Sequence, residues 1–221
     1  MMSILDSMRW RYATKKFDQS KKISSEDLSD LKEAIRLAPS SYGFQLFKVL
    51  IITDPDIKKK LYKESYLQSQ VKDCSHLFVF CSYKKVNDSH IDEFTTLMDE
   101  YRKLDQEKGI IKTLQSKAKI LAYGTIAKTD LGSRKEEDLL QWMKKQCYIA
   151  MTHLLIACAD KRIDACPFEG FRSAQYDKIL GLENRNLTST VLVPVGYRSD
   201  EDHHQHRTKV RKSLENIFEE L

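Results

Sequence analysis

The sequence predicts an α+β fold in which a central mixed sheet is flanked by helices, and three observations support this prediction. Three to four short apolar runs rich in β-branched residues are separated by long stretches with helical spacing. Strands and helices do not alternate regularly, and the chain has no internal repeat. No linker rich in Pro, Gly or Ser interrupts the 221 residues, so we expect a single domain over 1–221.

Spacing and capping residues predict the elements of the first part of the chain. After Ser24, apolar residues recur at intervals of three and four, which predicts a helix that is capped by Ser24 and stops just before Pro39. The run 47–53 (FKVLIIT) predicts a buried strand, and either Asp54 or Pro55 opens the next helix, which runs through Tyr62. A second apolar run, 76–83 (HLFVFCSY), predicts the next strand.

The middle of the chain is predicted to be helical. Residues 88–135 form an excursion that we expect to be mobile, with breaks at Gly109 and in the polar segment 129–138, around Gly132. Residues 136–161 are apolar on nearly every face, which predicts a central helix buried all round. Such a helix has to be covered by the sheet or by a second subunit.

The last part of the chain returns to strands. A short strand is predicted over 163–166, followed by a helix that Ser173 caps and Gly181 ends. The apolar run 188–197 predicts the final strand, and a helix is predicted over 210–221.

Composition limits the classes of function. The 37 Lys and Arg against 32 Asp and Glu give a net charge of +5, and the two signs are interleaved as on an ordinary solvated surface. The five cysteines are an odd number without C-x-x-C spacing, which favours a reduced compartment. The start lacks a signal-like apolar core, and no stretch approaches the roughly 18 apolar residues of a membrane span. We therefore expect a cytoplasmic protein that contacts no membrane.

Several common catalytic motifs are missing from the sequence. It contains no G-x-G-x-x-G, G-x-x-x-x-G-K-[ST], G-x-S-x-G or H-E-x-x-H, which argues against a Rossmann dinucleotide site, a P-loop, an α/β-hydrolase and a zincin. The histidines at 203, 204 and 206 lie in a polar stretch, where a solvated loop is the better interpretation than a metal site. No metal is expected.

Residues suited to a phosphate-bearing ligand occur at four separate places. Arginine offers a planar fork and lysine a point charge to phosphate, whereas serine hydroxyls and glycine backbone suit hydrogen bonds to sugar or ring edges. Each set alone fits an ordinary surface role, and their combination indicates a site. The four sets are Arg9, Arg11, Lys15 and Lys16; Ser40, Ser41 and Gly43; Pro167, Glu169 and Gly170; and Lys209 with Arg211.

Six motifs in order along the chain resemble one known family. They are 11–18 (RYATKKFD), 38–47 (APSSYGFQLF), 74–81 (CSHLFVFC), 141–150 (QWMKKQCYIA), 163–171 (IDACPFEGF) and 193–202 (VPVGYRSDED). The chain resembles the FMN-dependent nitroreductases, in the branch that holds the oxygen-insensitive NAD(P)H nitroreductases and their dihydropteridine reductase relatives. The resemblance implies an intertwined α+β homodimer with two FMN sites at its interface, and the partner subunit would then cover the central helix.

The resemblance also implies which residues bind FMN. The phosphate and the pyrimidine edge of the flavin would be held by Arg11, Lys15, Lys209 and Arg211, with Ala13 where relatives commonly carry Ser. A loop of Pro39, Ser40, Ser41 and Gly43 would reach the partner's flavin, and Gln146 would lie near the site. The segment Pro167, Phe168, Glu169 and Gly170 would pack on the isoalloxazine, with a backbone N–H near Glu169 facing flavin N5.

Two other positions depart from the family pattern. Leu67 stands where many relatives carry an Asn near the pyrimidine ring, which leaves Gln70, or alternatively Gln68, as the polar contact there. Leu46-Phe47 replaces the usual step from proline to an aromatic residue. The basic residues of the phosphate site are all kept, so FMN binding is still implied.

The activity implied by the resemblance is NAD(P)H-dependent reduction of flat acceptors through FMN. NADH or NADPH would pass a hydride to flavin N5, and a nitroaromatic or quinone would then take two electrons in a ping-pong sequence. No side-chain nucleophile is required. One alternative is a dedicated dihydropteridine reductase or other specialised flavoenzyme of the same fold. A second is a non-enzymatic nucleic-acid-binding protein that uses its arginines and aromatic residues, which would carry no chromophore.

Overall fold

The computed structural model describes residues 3–104 and 110–221, which form a four-stranded sheet with helices on both faces. The strands are β1 (Phe47–Ile52), β2 (His76–Tyr83), β3 (Asp164–Ala165) and β4 (Leu187–Gly196), in the spatial order β1-β2-β4-β3. The helices are α1 (Ile4–Trp10), α2 (Ser25–Arg36), α3 (Pro55–Lys63), α4 (Gln70–Asp73), α5 (Asp88–Leu104), α6 (Ile110–Ser133), α7 (Glu136–Asp160) and α8 (Ser173–Ile179).

The α+β class is confirmed, but the prediction of a mixed sheet is corrected. All three ladders of the sheet are antiparallel. Among the described residues, parallel pairing is confined to an isolated bridge between Ala13 and Ala165. The β2–β4 register shifts after Phe80, where Thr190 is the extra residue on β4.

Two apolar layers sandwich the sheet. On one face, α2 and α7 pack on Phe78, Phe80 and the odd-numbered residues 191–195 of β4. On the other face, α3, α4 and α8 pack on Leu77, Val79 and Leu192. Because side chains alternate along a strand, the continuous apolar runs of β2 and β4 can fill both layers.

Capping residues, apolar runs and a glycine in the sequence predict the boundaries of several elements correctly. The Ser24 hydroxyl accepts a hydrogen bond from the Asp27 N–H at 3.0 Å and caps α2. Asp54 caps α3 in the same way, through the N–H of Ile57 at 2.8 Å. The strand predicted over 76–83 matches β2 at both ends, and Gly181 follows α8 with a positive φ of 64°.

Burial differs from the prediction at three elements. β1 is an edge strand and is only half-buried. α7 buries one face against the sheet, and Ile149 on its outer side is 38% exposed in the single chain. Ser173 is the first residue of α8 rather than its cap, because its hydroxyl donates to the Ser189 carbonyl at 2.8 Å.

The break predicted over the polar segment 129–138 is confirmed, but Gly132 itself lies within α6, which continues to Ser133. Ala127 and Leu131 are buried against Met143 of α7, and this packing carries the helix past the glycine. The break lies at Arg134 and Lys135, where the backbone becomes extended. The break predicted at Gly109 lies outside the described residues.

The helix predicted over 210–221 is wrong, because the structure has only a single 3₁₀ turn at Leu214–Asn216 there. Leu214 is 71% exposed and Phe218 is 66% exposed. A short amphipathic segment gains most of its helical stability from packing, and this segment has no surface of its own chain to pack on. In the parts of the chain that the structure describes, no helix combines the length and apolarity needed to cross a bilayer.

Candidate functional site

A cavity of about 390 Å³ lies where the two ends of the chain meet. We call it the amino-terminal cavity; it is lined by Arg9, Trp10, Arg11, Tyr12, Ala13, Lys15, His204, Gln205, Arg207, Thr208, Lys209 and Arg211. Five of the predicted site residues are therefore brought together: Arg11, Ala13, Lys15, Lys209 and Arg211. Arg11, Ala13 and Lys15 precede Lys209 and Arg211 by nearly two hundred residues in the sequence, so it is the fold that brings the two groups together.

Three cations of this cavity, Arg11, Lys209 and Arg211, are crowded together without an acidic partner among the described residues. Burial lowers the pKa of Arg11, and the charge of Arg211 lowers it further. Burial likewise lowers the pKa of Lys209, followed by the charges of Arg11 and Arg211. Within 3–104 and 110–221, no carboxylate forms an ion pair with any of these three side chains. An anion in the cavity would relieve their mutual repulsion.

The Lys209 side chain also binds backbone carbonyl groups of its own chain. Its ammonium lies 2.6 Å from the carbonyl oxygens of Met8 and Arg11 and 3.1 Å from that of Arg9. An ammonium has three protons, so these bonds use all of them to cap the carboxyl end of α1. Lys209 therefore fixes the loop that carries Arg11, whereas the Arg11 guanidinium has no hydrogen-bond partner among the described residues.

A buried carboxylate holds the two sides of the cavity together. Asp202 is 1% exposed, and its Oδ2 accepts bonds from the N–H of Lys15 at 2.7 Å and from the Tyr12 hydroxyl at 2.9 Å. Its Oδ1 accepts a bond from the N–H of His204 at 3.0 Å. Asp202 is not among the site residues predicted from the sequence, where it ends the acidic run 200–202 that follows the last strand.

Asp202 predicts an acid limit on stability. Burial alone raises the pKa of Asp202, but the bonds from the Lys15 and Lys16 N–H groups and from Tyr12 bring it below its usual value. A carboxyl whose pKa is lower in the folded state stabilises the fold above its unfolded pKa of about 3.9, and this contribution is lost as the pH falls through the folded pKa. We expect the urea midpoint of the wild type to drop below about pH 4 more steeply than that of Asp202→Asn. Parallel pH profiles would contradict the role given to Asp202.

A second network packs against Trp10 and Tyr12, two residues that line the cavity. Asp164 accepts bonds from the backbone N–H of Arg198 at 2.9 Å and from its Nε at 2.9 Å. The Arg198 guanidinium lies 4.3 Å from the centre of the Trp10 ring and 4.6 Å from that of Tyr12. This stack of cation and rings sets the path of the chain on both sides of Arg11.

The predicted isoalloxazine segment, 167–170, is held from both sides. Phe168 exchanges backbone hydrogen bonds with Leu192 of β4 at 3.0 and 3.1 Å. The Gln68 amide donates to the Gly170 carbonyl at 2.8 Å, and the Tyr148 hydroxyl donates to the Glu169 carboxylate at 2.5 Å. A Cβ at Gly170 would come within 2.9 Å of the Gln68 amide nitrogen, so a larger residue there would displace the end of the Gln68 side chain.

The segment connects to the amino-terminal cavity through Lys15, whose ammonium lies 3.8 Å from the sulfur of Cys166. The N–H groups of Glu169 and Gly170 donate no hydrogen bond within the part of the chain that the structure describes. These two donors are consequently available to a ligand. Of the two glutamines considered from the sequence, Gln70 is 6% exposed at the start of α4, and Gln68 is the one beside this segment.

The neighbouring Leu67 has an unfavourable backbone. Its φ is 58°, and its side chain is 63% exposed. A left-handed conformation costs an ordinary residue about 1–2 kcal/mol, and asparagine tolerates it better. We expect Leu67→Asn to raise the free energy of unfolding by about 0.5–1 kcal/mol, measured by urea titration. A loss of stability would show that Leu67 contributes packing that outweighs its backbone strain.

The loop predicted to reach the partner's flavin lies apart from these groups. The N–H of Ser41 donates to the Gln146 side chain of α7 at 2.8 Å, and the Ser40 hydroxyl accepts a bond from the Gln45 N–H at 3.0 Å. Gly43 has a φ of 72°, and a Cβ there would lie 2.8 Å from the Phe94 ring. Neither Pro39 nor the rest of this loop lines the amino-terminal cavity of its own chain.

The fold and this arrangement agree with comparisons to known proteins. The sequence model described as "Nitroreductase family" matches residues 8–197. The chain belongs to the nitroreductase family. It is 30% identical over 227 residues to the oxygen-insensitive NAD(P)H nitroreductase of Salmonella typhimurium, with all of both chains covered. The namesake from Enterobacter cloacae is also 30% identical, over 99% of this chain and 100% of that protein.

A solved structure supports the nitroreductase fold. A protein of Exiguobacterium sibiricum, crystallised in complex with FMN, superposes with a TM-score of 0.80 at 18% identity, over 100% of this chain and 98% of that one. The family match ends at residue 197, whereas Asp202, Lys209 and Arg211 come later. In this member of the nitroreductase family, the last residues still complete the cavity that Arg11 begins.

The other histidines and cysteines that the structure describes form no second reactive centre. Among the described residues, no three His, Cys, Asp or Glu side chains lie close enough together to hold a metal ion. His203 and His206 are exposed, as the solvated-loop interpretation expects, whereas His204 is half-buried beside Asp202 and lines the amino-terminal cavity. All five cysteines are free and buried, and burial raises the pKa of Cys147 to about 12. A thiol in this state is a poor nucleophile at neutral pH.

Proposed function

We propose that the chain binds FMN noncovalently and uses NADH or NADPH to reduce flat acceptors such as nitroaromatics and quinones by two electrons. The observation that carries the proposal is the crowded, unneutralised group of cations in the amino-terminal cavity. Membership of the nitroreductase family and the names of its relatives as NAD(P)H nitroreductases give the reaction class.

The residues of the site fit FMN. A phosphate dianion would meet the fork of Arg11, the ammonium of Lys15 and the guanidinium of Arg211, none of which has a carboxylate partner among the described residues. Ala13 supplies no hydroxyl to the phosphate or the ribityl chain. The unused N–H groups at 169 and 170 would meet acceptor atoms of the flavin ring, and the Gln68 amide lies beside them.

The chemistry that bound FMN supplies is the acceptance of a hydride from NAD(P)H and its delivery, after the nicotinamide has left, to an acceptor in a ping-pong sequence. The chain's own residues bind and orient the ring and supply fixed positive charge. Lys15, whose ammonium reaches Cys166 beside the segment 167–170, would favour a more negative ring, which is electrostatic preorganisation without a side-chain nucleophile. Glu169 keeps its backbone in place through the bond from Tyr148.

The proposal includes a homodimer. In the single chain, Ile4 and Leu5 of α1 are each 56% exposed, and the tail exposes Leu214, Ile217 and Phe218. Such apolar side chains mark an interaction surface, and a second copy would also cover the outer face of α7 and bring Ser40 and Ser41 to the partner's flavin. Sedimentation at micromolar concentration should give a dimer. A flavin-loaded monomer would contradict this part of the proposal.

Anaerobic stopped-flow mixing tests the reaction. NADPH or NADH should bleach the flavin absorbance near 450 nm, which is characteristic of oxidised flavins, and a nitroaromatic or a quinone should restore it in a second mixing step. Steady-state double-reciprocal plots should be parallel, as a ping-pong sequence requires. Flavin that NAD(P)H does not reduce would contradict the proposal. Restoration by a quinonoid dihydropterin and not by the other acceptors would instead identify a dedicated pteridine reductase.

A further inference from the structure

A second and larger cavity, of about 720 Å³, lies at the start of α3. We call it the lysine cavity; it is lined by Gln19, Lys22, Thr53, Pro55, Lys58, Lys59, Tyr62, Lys63, Lys72, Asp73, Ser75 and His76. It shares no residue with the amino-terminal cavity, and the proposed reaction makes no use of it.

The charge of the lysine cavity is strongly unbalanced. Five of its lining residues are lysines, and a single carboxylate, Asp73, faces them. One oxygen of Asp73 accepts a hydrogen bond from the Gln19 amide at 2.9 Å. Within the described residues, none of the five lysines forms an ion pair. Exposed lysines alone would be an ordinary solvated surface, but here they surround a concavity.

A buried ammonium forms part of the wall. Lys58 is 4% exposed, and its Nζ donates to the carbonyl of Cys74 at 2.6 Å. Burial lowers the pKa of Lys58, and it also lowers the pKa of His76, with Lys58 and Lys22 adding to the effect. The ammonium of Lys58 uses one of its three protons on the carbonyl. Its field is weakly screened by water because it is buried.

An aromatic ring borders the charged wall. The Tyr62 ring is half-buried, and the ammonium of Lys72 lies 5.1 Å from its centre. A ring beside several ammonium groups suits a ligand with a planar part and a phosphate chain, and a cavity of this size suits a small molecule better than a duplex. We propose that the lysine cavity binds a small anion that carries two or more phosphate groups.

Two sources share this chemistry, namely inorganic diphosphate and a nucleoside diphosphate. Calorimetric titration of the FMN-loaded protein, in which FMN occupies the amino-terminal cavity, should show binding of pyrophosphate that weakens as salt is added. ADP that binds more tightly than pyrophosphate, with the difference lost in Tyr62→Leu, would identify the nucleotide as the source. Equal affinities would identify the inorganic anion.

Charge reversal locates the site. The double variant Lys22→Glu with Lys72→Glu should bind pyrophosphate about tenfold more weakly or worse, because two attractive charges become repulsive. Its matched control is Lys48→Glu with Lys178→Glu, two exposed lysines outside the cavity lining, which should bind as the wild type does. Thermal unfolding of both variants checks that they fold. No measurable binding, equal weakening in both variants, or a single-stranded oligonucleotide bound in preference to pyrophosphate would overturn the proposal.

Discussion

Arg11→Ala should weaken FMN binding about ten- to a hundredfold, because a hydrogen bond to a charged group contributes about 1.5–3 kcal/mol. The Arg11 guanidinium lines the cavity and has no hydrogen-bond partner among the described residues. Arg11→Lys should recover part of the affinity, since an ammonium keeps the charge but loses the planar fork. Quenching of FMN fluorescence on titration of the apoprotein measures the dissociation constants.

Arg11→Ala should weaken FMN binding without lowering the stability of the apoprotein. Arg211 and Lys209 crowd Arg11, so its removal should leave the apoprotein at least as stable as the wild type. Arg211→Ala should also weaken FMN binding, and His203→Ala, at an exposed position outside the cavity lining, should not. Equal affinities for the wild type and both arginine variants would show that the phosphate lies elsewhere.

Asp164→Ala should lower the free energy of unfolding by about 3–5 kcal/mol, because it leaves the guanidinium of Arg198, which is only 19% exposed, without its carboxylate. Asp164 is 4% exposed, and its Oδ1 lies 2.7 Å from the second guanidinium nitrogen of Arg198. Urea unfolding of the apoprotein measures the loss. The double variant Asp164→Ala with Arg198→Met should be more stable than Asp164→Ala alone, because no unpaired charge remains buried.

The outcome that would contradict this account is a loss below about 1 kcal/mol, which is the range of an exposed ion pair. FMN affinity should also fall in Asp164→Ala, since Arg198 stacks on Trp10 and Tyr12 on either side of Arg11. A variant that unfolds easily but binds FMN normally would separate this network from the site.

The sequence predicts those parts of the fold whose causes are local. The cap at Ser24 and the apolar run of β2 are readable because the interacting residues are neighbours in the chain. The tail after 210 has helical spacing, but no other part of the described chain covers it, and spacing alone does not make a helix. Gly132 breaks no helix because Leu131 is buried beside it.

For the candidate site too, some features are predicted by the sequence and others are visible only in the structure. Arg11 and Lys209 are selected by residue type and by the family resemblance, and the structure brings both to one cavity. The bonds that fix the site depend on contacts over long sequence separations, such as those of Asp202 with Lys15 and of Gln68 with Gly170. The periodicity of apolar residues along a sequence does not indicate which distant residues make contact. For the same reason, the capping of α1 by Lys209 is visible only in three dimensions.

The central claim is that the amino-terminal cavity holds the phosphate of FMN, and the flavin content of the freshly purified protein tests it most directly. The protein should be yellow, and heating should release about one flavin per chain that chromatographs as FMN and not as FAD, since no fingerprint for an adenine half is present. Colourless protein that fails to take up added FMN would contradict the account.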